Sequence, residues 1–167
     1  MKFHLDEKEK GFILFDALVG VFFGTIFLVA FAELILNGVK MSYVNNSQLK
    51  AKFYLQELIE VTKDLEQTPS GWQTIINTSC NDSSPCYPTT SGSDWILVSD
   101  PSKQTLENNT YTRWLTIEDV YRNPTNQIVN RTDPGAVLST STKKVIATIT
   151  WNNGRQTSTL VTYVYKY

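Results

Sequence analysis

Histidine is almost missing from this chain: the single one, His4, sits ahead of the first apolar residues of any length. A Ser-His-Asp or Cys-His arrangement needs an imidazole beside its nucleophile, so neither can be assembled further along. No glycine-rich phosphate loop is present either. Net charge is −1 and no basic run occurs, which argues against a dedicated cationic face for nucleic acid. Cysteine is limited to Cys80 and Cys86, without the second pair or histidine that a zinc site requires. Asp94, Asp100, Glu118, Asp119 and Asp133 lack the spacing of an EF-hand loop, so solvated surface carboxylates are the reading and no metal is expected. These absences point away from an enzyme and away from a cofactor.

What is abundant is apolar length in one place. Residues 12–36 run from Phe12 to Leu36 with two ionisable side chains, Asp16 near the start and Glu33 near the end. As a helix this stretch would be roughly 37 Å long, against about 30 Å for the hydrocarbon core of a bilayer. Glu33 lies near the far interface, where water can reach it. Asp16 is deeper, and a carboxylate inside a span is costly enough to mark a functional position. Lys2, Lys8 and Lys10 precede the span and keep this end cytoplasmic. A secretory signal would carry a shorter apolar region and a small-residue cleavage site, which Ala32-Glu33-Leu34-Ile35-Leu36-Asn37-Gly38 does not match. An uncleaved signal anchor is the plain alternative. Gly20 and Gly24 form a G-x-x-x-G pair, a spacing that lets helices approach closely in lipid, although such pairs also arise by chance.

The segment Lys10-Gly11-Phe12-Ile13-Leu14-Phe15-Asp16 resembles the processing site of type IV prepilins: a short polar leader ending in Gly, then Phe, then an apolar helix with an acid at its fifth position. The resemblance implies cleavage after Gly11 by a prepilin peptidase and N-methylation of Phe12. It implies an assembly role for Asp16, which would neutralise an N-terminal amine when subunits pack. The family's usual acid is Glu, so Asp16 is one methylene shorter, and the proline often found in this part of the helix is absent. Gly20 and Gly24 would ease local loss of helical regularity during assembly.

Beyond the span, about 130 residues remain, enough for a modest core. Gly38 is a candidate kink. From about 46 to 66, Ala51, Leu55, Leu58, Val61 (or Thr62) and Leu65 recur every three or four positions and predict an amphipathic helix. Lys50, Lys52, Glu57, Glu60, Lys63, Asp64 and Glu66 fall on its other face, read as solvated. Pro69-Ser70-Gly71 is read as the stop. Residues 73–93 are read mostly as loop. Within them Cys80 and Cys86 bracket turn-forming residues and predict a disulfide in an exported domain, with two free thiols as the alternative. Trp95–Val98 and Tyr111–Tyr121 are strand candidates, and Asn123–Gly135 a polar connection. Lys143–Trp151 and Gln156–Tyr165, joined by Asn152-Asn153-Gly154-Arg155, predict a hairpin. Trp72, Trp95 and Trp114 are candidates for a binding patch, with core positions the commoner use. Sequons at Asn77, Asn108 and Asn130 carry little weight in a sequence this rich in Asn and Thr.

The expected fold class is therefore α+β and pilin-like: a long N-terminal helix, half transmembrane and half amphipathic, packed on a small antiparallel sheet of three to five strands. Its expected divisions are a cytoplasmic leader (1–11), an assembly helix (12–36) and an extracytoplasmic domain (37–167) with its sheet at about 94–165. Similarity to minor pilin-like proteins of small-genome bacteria extends this reading through Ala51–Glu60, Gly71-Trp72 and Lys143–Trp151. The implied function is a structural subunit (pilin, minor pilin or pseudopilin) of a type IV pilus-like or type II secretion-like filament. Its implied partners are the peptidase, other subunits, an inner-membrane assembly platform and, before assembly, membrane lipid. The implied location is the inner membrane and then the cell surface. Two other readings stay open: a membrane-tethered monomeric β-domain for binding or adhesion, and an envelope enzyme with an unrecognised site.

Overall fold

The computed structural model describes residues 7–92 and 94–166, with side chains from Phe15 onward. Most of the expected leader, Met1–Asp6, lies outside the described residues. The chain divides into two compact units, Met1–Ser47 and Gln48–Tyr167.

Helix α1 spans Glu7–Glu66, and it passes through the candidate kink at Gly38 without a break. In the second unit, one stripe of α1 is buried: Ala51, Leu55, Leu58, Ile59, Val61, Thr62 and Leu65. Every residue of the predicted apolar face is in it, and Val61 and Thr62 are both used. Thr62 satisfies its hydroxyl by donating to the Leu58 carbonyl at 2.7 Å, so a polar side chain is tolerated in the core.

The predicted stop holds, since α1 ends at Glu66, but it is also a restart. Pro69, Ser70 and Gly71 open a second helix, α2 (Pro69–Asn77). Thr68 has an extended backbone and its hydroxyl accepts the Gly71 N–H at 3.1 Å, which is N-cap geometry. Pro69 stands at the first helical position, where its missing N–H leaves nothing unpaired. Gly71 is required by close approach, because a Cβ there would collide with the Leu65 carbonyl and lie 2.7 Å from the Thr68 hydroxyl. Trp72 and Ile75 then bury into the core.

Among the described residues the sheet is antiparallel and larger than expected, with seven strands in place of three to five. They are β1 (Cys86–Ser91), β2 (Asp94–Ser99), β3 (Gln104–Leu106), β4 (Tyr111–Arg122), β5 (Ile128–Val129), β6 (Val137–Trp151) and β7 (Gln156–Tyr165). The main order is β2-β1-β4-β6-β7, with β3 and β5 also pairing β4. Residues 73–93 are thus α2 and β1 for much of their length, and the polar connection contains β5. Pro88 hid β1, since proline argues against a central strand. Yet β1 meets β4 only at Cys86↔Leu115, so Pro88 lies where one neighbour suffices and its missing N–H is not needed. The closing hairpin is as predicted, from Trp151 to Gln156, with β6 starting six residues earlier than Lys143. Asn152, Asn153 and Gly154 take φ of 53°, 54° and 78°, values that Asn and Gly adopt at least cost.

Strand register places Tyr111, Arg113, Leu115 and Ile117 of β4 beside Trp151, Ile149, Ala147 and Val145 of β6. Apart from Arg113, these residues meet Leu55, Leu58, Leu65, Trp72 and Ile75 in a single core. Helix on antiparallel sheet is the α+β class expected from the sequence.

Candidate functional site

The candidate site begins in the first unit. From Phe15 to Leu36 the helix is clothed in Phe, Leu, Val and Ile that remain exposed, including Phe15, Leu18, Phe22, Phe27, Leu28, Phe31 and Leu34. The most apolar 18-residue window has a mean hydropathy of 2.4, and none of it is buried. The apolar residues are spread around the whole circumference. An all-round apolar helix is normally buried in a large core or in lipid, so this one is long and apolar enough to cross a membrane. Thr25 fits such surroundings, because its hydroxyl donates to the Phe22 carbonyl at 2.8 Å and needs no water.

Gly11 and Phe12 are helical, and their side-chain surroundings are outside the described residues. Asp16 is exposed on the same helix. Gly20 and Gly24 follow it at intervals of four, which sets the three along one slowly drifting strip. A Cβ added at either glycine would meet nothing within 4 Å. The strip is therefore a shallow track beside a carboxylate, where a second backbone could come close.

The second unit holds the disulfide. Cys80 and Cys86 are joined, with Cα atoms 5.1 Å apart, and both are buried. The bond ties the chain leaving α2 to the start of β1. Its loop is internally braced: the Asn81 side-chain carbonyl accepts the N–H groups of Ser83 and Ser84, both at 3.0 Å.

An ionic cluster pins α1 to the β3–β4 hairpin. Arg113 is 5% exposed, and its guanidinium donates to Glu57 at 2.7 Å, to Gln104 at 2.7 Å and to the Tyr54 carbonyl at 3.3 Å. Beside it, Glu107 accepts the Tyr54 hydroxyl at 2.7 Å and Lys50 at 3.0 Å. The Tyr54 hydroxyl first, and Lys50 second, hold Glu107 below its ordinary pKa. The same hydrogen bond raises Tyr54, since ionising it would remove the donor. Part of the face read as solvated is thus a fastening. Glu66 departs further from that reading: it is buried and accepts the Tyr165 N–H at 2.6 Å. Arg113 carried a readable signal, because a cation in the inward phase of β4 between Tyr111 and Leu115 demands a facing carboxylate.

Four other acids have partners of their own. Glu118 pairs Lys144, Asp119 pairs Lys143, Asp100 accepts the Ser102 N–H and Asp133 the Asn130 N–H. No group of three metal-ligating side chains occurs among the described residues. The tryptophans do not form one patch. Trp72 is core and Trp95 packs against it, while Trp114 lies on the opposite sheet face beneath Lys103, 3.6 Å from the ring centre.

Comparison with protein-family models, curated proteins and solved structures finds no match for this chain.

Proposed function

We propose that this chain is a non-enzymatic filament subunit, a pilin, minor pilin or pseudopilin, that assembles through its N-terminal helix after cleavage between Gly11 and Phe12. The observation that carries the reading is the uncovered apolar helix of residues 15–36, with Asp16 and the open glycine track on its surface. Nothing in the described chain buries that helix, so its cover must come from lipid or from other helices. A filament of packed helices replaces the lipid while removing a large apolar area from water.

Asp16 has a specific task in this scheme. Cleavage creates an amine at Phe12, four residues away, and packing would carry that amine into an apolar bundle. An unpaired buried charge is strongly destabilising, whereas a carboxylate from the same or a neighbouring subunit neutralises it. The folded second unit would then be displayed on the filament surface, its disulfide suited to an oxidising exterior.

The reading is tested by the N-terminus of the mature protein. Mass spectrometry of surface material should give a chain beginning at a methylated Phe12, and replacing Gly11 by a bulky residue should leave precursor in the membrane. An intact Met1 on surface protein, with the peptidase present, would favour the tethered monomeric module.

A further inference from the structure

The two ends of the sheet are built differently. Strand β2 is six residues long, begins with Asp94 and is followed by Asp100-Pro101. Charge and proline are the usual guards of an open edge. Strand β7 is ten residues long and has no charged residue and no proline from Gln156 to Tyr165. Its interior is β-branched and aromatic, the composition of a strand that pairs.

Hydrogen bonding shows which backbone groups of β7 face outward. Lys166 donates its N–H to Ser141 in the direction of β6, while Tyr165 donates to the Glu66 carboxylate instead. Because strand residues alternate, Thr157, Thr159, Val161 and Tyr163 also turn their backbone groups away from β6. Glu66 therefore closes this edge at Tyr165, and the open window runs from Thr157 to Tyr163. The centre of that window is Leu160. Leu160 and Val161 are both exposed, and alternation puts them on opposite faces of the sheet.

We propose that this edge is a self-association site, at which β7 of a second copy pairs antiparallel about a two-fold axis through Leu160. In that register Thr157 faces the second copy's Tyr163 and Thr159 faces its Val161, each pair exchanging backbone hydrogen bonds. The axis brings Leu160 against its own counterpart and covers Val161. No charge opposes another within the window, and Glu66 excludes registers that would need the Tyr165 N–H. The self-complementary, uncharged window favours a second copy over a partner of other sequence.

The test uses the purified full-length chain in lipid vesicles, without peptidase or other filament components, so its outcome is independent of the filament reading. Both native cysteines are already joined, so Leu160→Cys introduces the one free thiol. A non-hydrogen-bonded antiparallel pair has Cα atoms about 4.5 Å apart, within disulfide range. Mild oxidation should link most of the Leu160→Cys chain into dimers, and leave Thr140→Cys, on β6, at background. Adding Val161→Lys or Val161→Pro should return Leu160→Cys to background with unchanged circular dichroism and melting, because the Val161 N–H points away from β6. Equal linking at 140 and 160 would overturn the proposal. So would linking that survives both Val161 changes, or capture of a different protein at Leu160 when the vesicles are made from whole membranes.

Discussion

Helix α1 holds two kinds of surface in one unbroken element. Between residues 15 and 36, apolar side chains point in every direction and are exposed; between residues 51 and 66, all but the exposed Phe53 occupy one stripe turned to the core. The backbone is the same, so the difference lies in where each half finds its cover. The second half finds it inside the chain, on the sheet and α2. The first half has none in the described chain, and its cover must be another molecule. One half of the helix accordingly serves folding, and the other is long and apolar enough to cross a membrane.

Substitutions of like kind should separate the halves, most strongly in the core. Leu58→Ala should destabilise the second unit by about 2–5 kcal/mol, the cost of a cavity in a packed interior. Leu28→Ala should leave its melting unchanged, as followed by near-ultraviolet circular dichroism in detergent. A drop of similar size for Leu28→Ala would erase the distinction. Next comes Cys86→Ser, which should lose about 2–3 kcal/mol because a closed loop is opened, yet still fold, since the two cysteines sit at one end of a core that the larger side chains of α1, α2, β4 and β6 fill. Denaturant titration under non-reducing conditions checks this.

The glycines sharpen the contrast further. Gly71→Ala should cost about 1–3 kcal/mol, because its Cβ would push into the Leu65 carbonyl. Gly20→Ala and Gly24→Ala meet open space, so they should leave the stability of the second unit unchanged, and any effect should appear in assembly.

Smallest should be the response to pH, confined to the second unit. Glu107 and Asp100 titrate below their ordinary values of 4.5 and 3.8, the first held by Tyr54 and Lys50, the second by the Ser102 N–H. Their contribution is present above those values and is lost as pH falls through the folded pKa. Tyr54 and Lys144 titrate above 10.0 and 10.5, through their hydrogen bonds to Glu107 and Glu118. Their contribution is present below those values and is lost as pH rises through the folded pKa. Melting temperature should therefore be flat from roughly pH 5 to 9 and decline modestly on either side. The Glu107→Gln variant should flatten the acid limb.

The legible parts of this fold were those in which one periodicity persists. Ala51 to Leu65 repeats at helical spacing, and Lys143 to Tyr165 alternates around Asn153-Gly154, so both elements were readable, apart from the first six residues of β6. Illegible parts were those decided by a single long-range partner. Pro88 looks like a strand breaker until β1 is seen to have one neighbour at that point. Pro69 and Gly71 do follow the end of α1, but that they also open a new helix is seen only once Thr68 is placed as its cap. Glu57 and Glu66 look solvated because their partners, Arg113 and the Tyr165 N–H, are distant in sequence. The candidate site divides in the same way: the apolar span and the Cys80–Cys86 bond were readable from local pattern, whereas the ionic cluster required the sheet register.

The central claim is that the first half of α1 is covered by the helices of other filament subunits, with Asp16 neutralising the amine that cleavage exposes. Its most direct test measures filament entry of Asp16 variants by shearing cells and comparing sheared with membrane-retained protein. Asp16→Ala and Asp16→Asn should be processed and folded normally but enter filaments poorly, since an unpaired amine in the bundle costs about 3–5 kcal/mol. Asp16→Glu should restore entry. If the alanine and asparagine variants enter filaments as well as the parent chain, the carboxylate has no part in assembly and the account fails.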